Sequence, residues 1–344
     1  MKTFGSFFSG GGLADVGAKM AGYKLVFAVE YDAQIAEVYR RNLGDHITIA
    51  DVRHVDIDSL PVVDLFHASP VCTNASIANK KRGEVLLDIE TAQATAEYIR
   101  RKLPKAVTIE NVMQYRQFEA YRLIIAALDE RGYWHNADVL NSADFGVPQT
   151  RRRLIVRAIR GGWVPALPAP VRWVGWYEAI EDLIPTLPDD RFADWQIERL
   201  PRETQSFLLN ASSSHDEISR AKQEPSVTVT CEKGTSLRAF IVCAGAADRA
   251  AYVVCGTPND EGKTVTTRNE NEPIFTVTAS IEKRPNRAWL SSGRVVRMTP
   301  RALARFQSVP DWYELPDSKR LAGKIIGNGV PCLMYQRIAE AFLP

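Results

Sequence analysis

Cys72 stands in SPVCTNAS, directly after the apolar run VVDLFHA. A thiolate there would be a nucleophile held at the rim of a strand. The next apolar run, KAVTIENV, ends at Glu110 and Asn111, and VPQTRRRLIV then brings Gln149, Arg151 and Arg153. The i, i+2 spacing of the two arginines puts both on one strand face. Guanidinium groups suit phosphates and base edges. A thiolate beside a carboxyl acid suits covalent activation of an electron-poor ring. Singly, each feature has a plainer reading: free cysteines are commonly buried core residues, and basic runs are usually solvated.

A second group points to a bound nucleoside. FSGGGLADVG follows the first apolar run and opens a helix. Glycines let a backbone approach a ligand closely, and a helix N-terminus offers unpaired N–H groups. The spacing is neither GxGxxG nor that of a P-loop. Glu30 ends VFAVE, where a carboxylate can accept from ribose hydroxyls. Tyr31 beside it can stack on a flat ring, and Asp51 ends ITIAD, where it can receive an exocyclic amine. A glycine loop, a Glu and an Asp at three successive strand ends form a series that outweighs its parts.

The elements that must position these groups alternate. Strand-like KTFGSFFS, KLVFAVE, ITIADV, VVDLFHA, KAVTIENV and RRRLIVRAI are separated by helical DVGAKMAGY, AQIAEVYRRNL, LDIETAQATAEYIRRKL and EAYRLIIAALDERG. Apolar strands separated by helices predict an α/β fold, a doubly wound, mostly parallel sheet covered on both faces. From about residue 161 the texture changes to GGWVPALPAPVRW and then short β-like runs: SVTVTCE, RAFIVCA, AYVVC and IFTVTAS. EPSVTVT (224–230) and EPIFTVT (272–278) echo each other as two similar strands, not as a repeat architecture. TPRALARFQ is helical, and IIGNGVPCLMYQRIAEAFL reads as a turn feeding a last helix. The expected division is therefore 1–160, a smaller mostly β module at 161–295, and 296–344 returning to the first unit.

With 344 residues, 45% hydrophobic and 24% charged, the chain has an ordinary globular composition. No apolar stretch suits a bilayer span and no signal peptide is visible, so a cytoplasmic setting away from membranes is expected. Five widely spaced cysteines without a CxxC pair argue against disulfides and against a metal site. The net charge of +2 leaves nucleic-acid binding to local clusters.

Taken in order, these motifs resemble the DNA (cytosine-5)-methyltransferase family. The resemblance covers FSGGGLADVG, the Glu of VEYD, the Asp of IADV, the Pro-x-Cys segment, IENV and QTRRR. It resumes with RMTPRALARFQSVPDWY (297–313) and ends with GNGVP (327–331). It implies a base-flipping methyltransferase of the restriction-modification type that uses S-adenosyl-L-methionine on double-stranded DNA; a cognate restriction system is a partner it allows. The donor would lie over Phe8, Gly10 and Gly12. Glu30 would bind the ribose, with Tyr31 adjoining, and Asp51 and Val52 would hold the adenine; Asn328 would close the site. Cys72 would attack C6 of a flipped-out cytosine. Glu110 would hold or protonate N3, and Arg153 with Arg151 would contact the base or support its loop.

The chain departs from the family in places. Leu13 replaces a usual third glycine, Val71 a usual proline before the nucleophile, and Thr73 a usual glutamine. Val71 removes a restraint on φ, so a less pre-organised active-site loop is expected. That loop, NASIANKKRGEV, carries Lys80, Lys81 and Arg82 to grip phosphates. The alternatives are a tRNA cytosine-5 methyltransferase, whose Cys-Phe-Thr tripeptide this chain lacks, and a catalytically inactive DNA-binding homologue, which would not need Cys72, Glu110, Arg151 and Arg153. The recognition sequence is expected to be set within 161–295.

Overall fold

A computed structural model describes residues 1–72, 83–190, 252–256, 265–269, 271–274, 276–277, 287–289 and 295–343. In chain order, β1 (Thr3–Phe7), α1 (Leu13–Met20), β2 (Lys24–Glu30), α2 (Ala33–Leu43), β3 (Ile47–Ile49) and β4 (Leu65–Ala68) are followed by α3 (Leu86–Lys102) and β5 (Ala106–Asn111). Then come α4 (Glu119–Glu130), β6 (Tyr133–Asn141), β7 (Arg152–Arg160) and α5 (Trp176–Ile180). The sheet order is β3-β2-β1-β4-β5-β7-β6. Neighbours from β3 to β5 pair in parallel, and β7 runs antiparallel to both β5 and β6. From β1 the chain builds outwards to β3, then returns to the other side of β1 with β4. The carboxyl ends of β1 and β4 therefore flank the topological switch point, where such sheets open a crevice.

The apolar runs become strands because both faces are covered. On one face Phe7, Phe66 and Tyr98 pack with centroids 4.3–5.2 Å apart beneath α3 and α4. Such pairs add about 0.5–1.5 kcal/mol each beyond the area they bury. On the other face Phe4 and Leu65 pack against α1 and the C-terminal helix α8 (Cys332–Glu340). Gly17 permits that packing: a Cβ there would lie 2.5 Å from the Cys332 carbonyl oxygen.

Two elements depart from the sequence reading. YWHNADVLN, not expected as a strand, is β6; its polar residues break the apolar pattern because the strand lies at the sheet's edge and pairs on one side only. IIGN, expected in a turn, ends a helix, α7 (Lys319–Asn328), despite Gly323 and Gly327. Burial of Ala322, Ile325 and Ile326 overrides the weak local propensity.

A second sheet of four antiparallel strands holds β8 (Tyr252–Gly256), β9 (Val265–Asn269), β10 (Arg287–Trp289) and β11 (Val295–Arg297), in the order β11-β10-β8-β9. SVTVTCE, RAFIVCA and the 224–230 member of the sequence echo lie outside the described residues. The other member leaves the small sheet and joins the main body. Ile274 N–H donates to the Pro148 carbonyl, Thr150 N–H to the Ile274 carbonyl and Val277 N–H to Gln149 Oε1. Ile274 and Val277 enter one core with α1, α2, α5, α7 and α6 (Pro300–Phe306). Among the described residues no helix is long and apolar enough to cross a membrane, and no cluster of potential metal ligands occurs.

Candidate functional site

The turn after β1 is held open by conformation. Phe8, Gly10 and Gly12 all have positive φ, and Gly12 caps α1. A Cβ on Gly10 would meet nothing within 4 Å, so the backbone at Gly10 faces open space. Glu30, buried at the end of β2, ties the loop down by accepting from the backbone N–H groups of Gly10 and Asp32, each at 2.9 Å. Burial pushes its carboxyl up from the ordinary range; those N–H donors and Lys324 oppose the shift.

The open space is a cavity of ≈ 260 Å³. It is lined by Phe8, Gly10, Glu30 and Tyr31, by Lys324, Asn328 and Val330, and by His67, Ser69 and Val71 after β4. Chain segments more than 290 residues apart thus share its lining. Lys324 Nζ spans the walls to Asp32 Oδ2 at 2.7 Å, and the Tyr313 hydroxyl donates to the Gly11 carbonyl. Tyr31 is exposed at the mouth. Gly12, Asp51 and Val52 are not among the lining residues. Gly12 packs inward, where a Cβ would lie 2.7 Å from Tyr39. Asp51, beyond β3, is gripped by Arg53, whose Nη2 lies 2.6 Å from Oδ2 and whose Nη1 reaches Glu90. Those contacts hold the Asp51 carboxyl below its usual range.

Val71, which lines the cavity, is followed at once by Cys72, which does not. Asn111, buried at the end of β5, donates from Nδ2 to the Pro70 carbonyl at 2.9 Å and sets the root of the cysteine loop. Burial pushes the Cys72 thiol up to about 12, and the charge of Glu110 adds to the rise; Arg153 and the Val112 N–H oppose it. Arg153 Nε lies 3.2 Å from Glu110 Oε1, with both side chains nearly excluded from water. Burial also lowers the Arg153 guanidinium, against the pull of Glu110 and Cys72.

Cys72, Glu110 and Arg153 are thus brought together, whereas Arg151 is directed elsewhere. It precedes β7, and its Nη1 donates to the Gly327 carbonyl at 3.1 Å, one residue before Asn328. Gln149 donates to the Phe306 carbonyl and accepts from Val277, a structural tie. Thr73, Lys80, Lys81 and Arg82 lie outside the described residues.

Sequence reasoning missed two groups. His67, buried in β4, contacts Thr108 Oγ1 at 3.0 Å and Ser69 Oγ at 3.1 Å, and burial drives its pKa down to about 3. Asp15, buried in α1, also lines the cavity. A histidine inside an apolar run and an aspartate in the first turn of a helix carry no signal that separates them from ordinary residues.

A family model for C-5 cytosine-specific DNA methylase matches residues 2–343. A type II methyltransferase, M.Bsp6I of Bacillus sp. (strain RFL6), is 30% identical over 168 residues, 46% of this chain and 53% of that one. The chain therefore spans about half the length of that relative. M.AplI of Arthrospira platensis, another type II methyltransferase, is 27% identical over 97% of this chain and 83% of its own. The structure of the methyltransferase EhMeth of Entamoeba histolytica superposes with a TM-score of 0.64 at 13% identity, covering 99% of this chain and 98% of that one; this shows a shared fold.

Proposed function

Because the chain belongs to the C-5 cytosine-specific DNA methylase family, we propose that it methylates C5 of a flipped-out cytosine in double-stranded DNA, with S-adenosyl-L-methionine as donor. One observation carries the reading: Val71 lines the cavity, and the next residue, Cys72, sits beside the Glu110–Arg153 pair. A cavity for the donor and a nucleophile with its acid thus meet at one crevice.

The residues present fit such a donor, which supplies an electrophilic methyl group when bound. The open backbone at Gly10 and the N-terminus of α1 suit its carboxylate, Glu30 its ribose, and Tyr31 and Asn328 the two lips. Asp51 and Val52, which lie after β3 and do not line the cavity, are assigned to the adenine. The Cys72 thiol passes its proton through water to the Glu110 carboxylate, and its sulfur bonds to C6 of the cytosine. Glu110 delivers a proton to N3, so the electron pair arriving at C6 leaves C5 electron-rich and the ring uncharged. Arg153 holds the Glu110 carboxyl in place and offsets the charge that develops beside it. After C5 is methylated, loss of its proton to solvent restores the double bond and expels the Cys72 thiolate, and the N3 proton returns through Glu110 to the sulfur. Arg151 supports Gly327, and through it the Asn328 lip. Residues 161–295, with the small sheet, are assigned to target recognition; a restriction partner and a cytoplasmic setting go with the type II relatives.

Incubation with labelled donor and duplex DNA, followed by bisulfite sequencing, should show C5-methylated cytosine in a fixed context. Duplexes carrying 5-fluorocytosine at that site should trap a denaturation-stable adduct through Cys72. Transfer to tRNA but not to duplex DNA would overturn the reading.

A further inference from the structure

Asp15 stands in the wall of the donor cavity without a role in the chemistry above. Its side chain is wholly excluded from solvent. Oδ1 accepts from Ser6 Oγ at 2.8 Å and from the Tyr39 hydroxyl at 2.7 Å, whereas Oδ2 has no hydrogen-bond partner among the described residues. A buried carboxylate with one oxygen unpartnered is costly to keep.

Among the described residues, its surroundings offer no direct counter-charge. Ser6 approaches from β1 and Tyr39 from α2, with His46 behind it at 2.9 Å. Tyr313, from the segment before α7, and Tyr335, from α8, lie near enough to feel the Asp15 charge, and burial holds both phenols neutral. Across the cavity stand Glu30, also an acid, and Lys324, already paired with Asp32.

We propose that Asp15 is a specificity-determining residue that favours the cationic methyl donor over its demethylated product. The proposal rests on the donor occupying this cavity. Methyl transfer turns a sulfonium, which carries one positive charge, into a neutral sulfide; the amino-acid ends of donor and product are alike. A negative charge fixed in the wall attracts the first more than the second, and does so strongly because the wall is dry. The attraction disappears when the methyl leaves, so product is released and a new donor preferred. Burial raises the Asp15 carboxyl to about 6, with the hydrogen bonds from Tyr39, Ser6 and its own N–H opposing that rise, so the group gains its charge as the pH rises through that region.

Calorimetric titration of the full chain with S-adenosylmethionine, S-adenosylhomocysteine and sinefungin, which carries an ammonium group in place of the sulfonium, tests this. Asp15→Asn keeps the shape and should cut the preference for the donor over the homocysteine product about tenfold, with sinefungin following the donor. Equal weakening towards all three ligands would overturn the role while leaving the donor reading intact. Failure of the native chain to bind any of them would overturn both. A second arm needs no variant: in the native chain the donor-to-product affinity ratio should climb between pH 5 and 7 as Asp15 ionises. A flat ratio there would equally overturn the proposal.

Discussion

Arg153 meets Glu110 at 3.2 Å across the β7–β5 pairing, while Arg151, two residues earlier, reaches Gly327 of the C-terminal segment. Neighbouring arginines in one basic run thus serve different walls of the crevice.

This division predicts separable losses. Arg153→Ala should lower the single-turnover methylation rate by roughly 10²–10³-fold, the scale for removing one group that faces developing charge, with donor affinity little changed. Arg151→Ala should weaken donor binding more than the chemical step, because the Gly327 carbonyl loses its donor beside Asn328. Calorimetry paired with rapid-quench kinetics distinguishes the two; identical profiles would refute the separation.

Reactivity of Cys72 should run opposite to catalysis in one variant. With its thiol held up at about 12, alkylation by iodoacetamide should be slow at pH 7.5 and accelerate steadily towards pH 10. Glu110→Gln removes the negative charge that helps raise the thiol. It should therefore speed alkylation of the Cys72 peptide, followed by mass spectrometry, while abolishing methyl transfer.

Gly17 tests the packing that brings the two ends of the chain together. A methyl group there would meet the Cys332 carbonyl at 2.5 Å and the Gln336 nitrogen at 2.9 Å, both backbone atoms. Gly17→Ala should cost about 1–3 kcal/mol, the range for overpacking a tight contact, seen as a lower denaturant midpoint. An unchanged midpoint would mean that α1 and α8 separate without loss.

His67 should make the fold acid-sensitive. Its folded pKa of about 3 lies below the ordinary 6.5 because burial disfavours the charged ring. The unfolded chain therefore takes up a proton first, and stability falls as pH drops from 6.5 towards 3. His67→Gln should flatten that part of the stability–pH curve, measured by denaturation at stepped pH. An unchanged slope would show that other groups dominate.

Much of the fold was legible in the sequence. β1, β4 and β5 announce themselves as apolar runs because they lie inside the sheet and are buried on both faces. The side chains with chemistry stand where apolar runs stop, at Glu30, after Ala68 and at Glu110. β6 escaped because His135, Asn136 and Asp138, on an edge strand with half-buried faces, break the apolar run. The helix through Gly327 escaped because core burial, not propensity, forms it.

By itself the sequence determined the types of reacting group, their order, and the alternation that delivers them to one sheet edge. Those features are local: a thiol, a carboxylate or a glycine turn is written in one residue or a few neighbours. Tertiary structure alone decided which arginine meets Glu110, which one holds Gly327, and that Asp15 becomes a cavity wall. These depend on contacts between segments up to 300 residues apart, many to backbone carbonyls that every residue carries, so no local pattern distinguishes them.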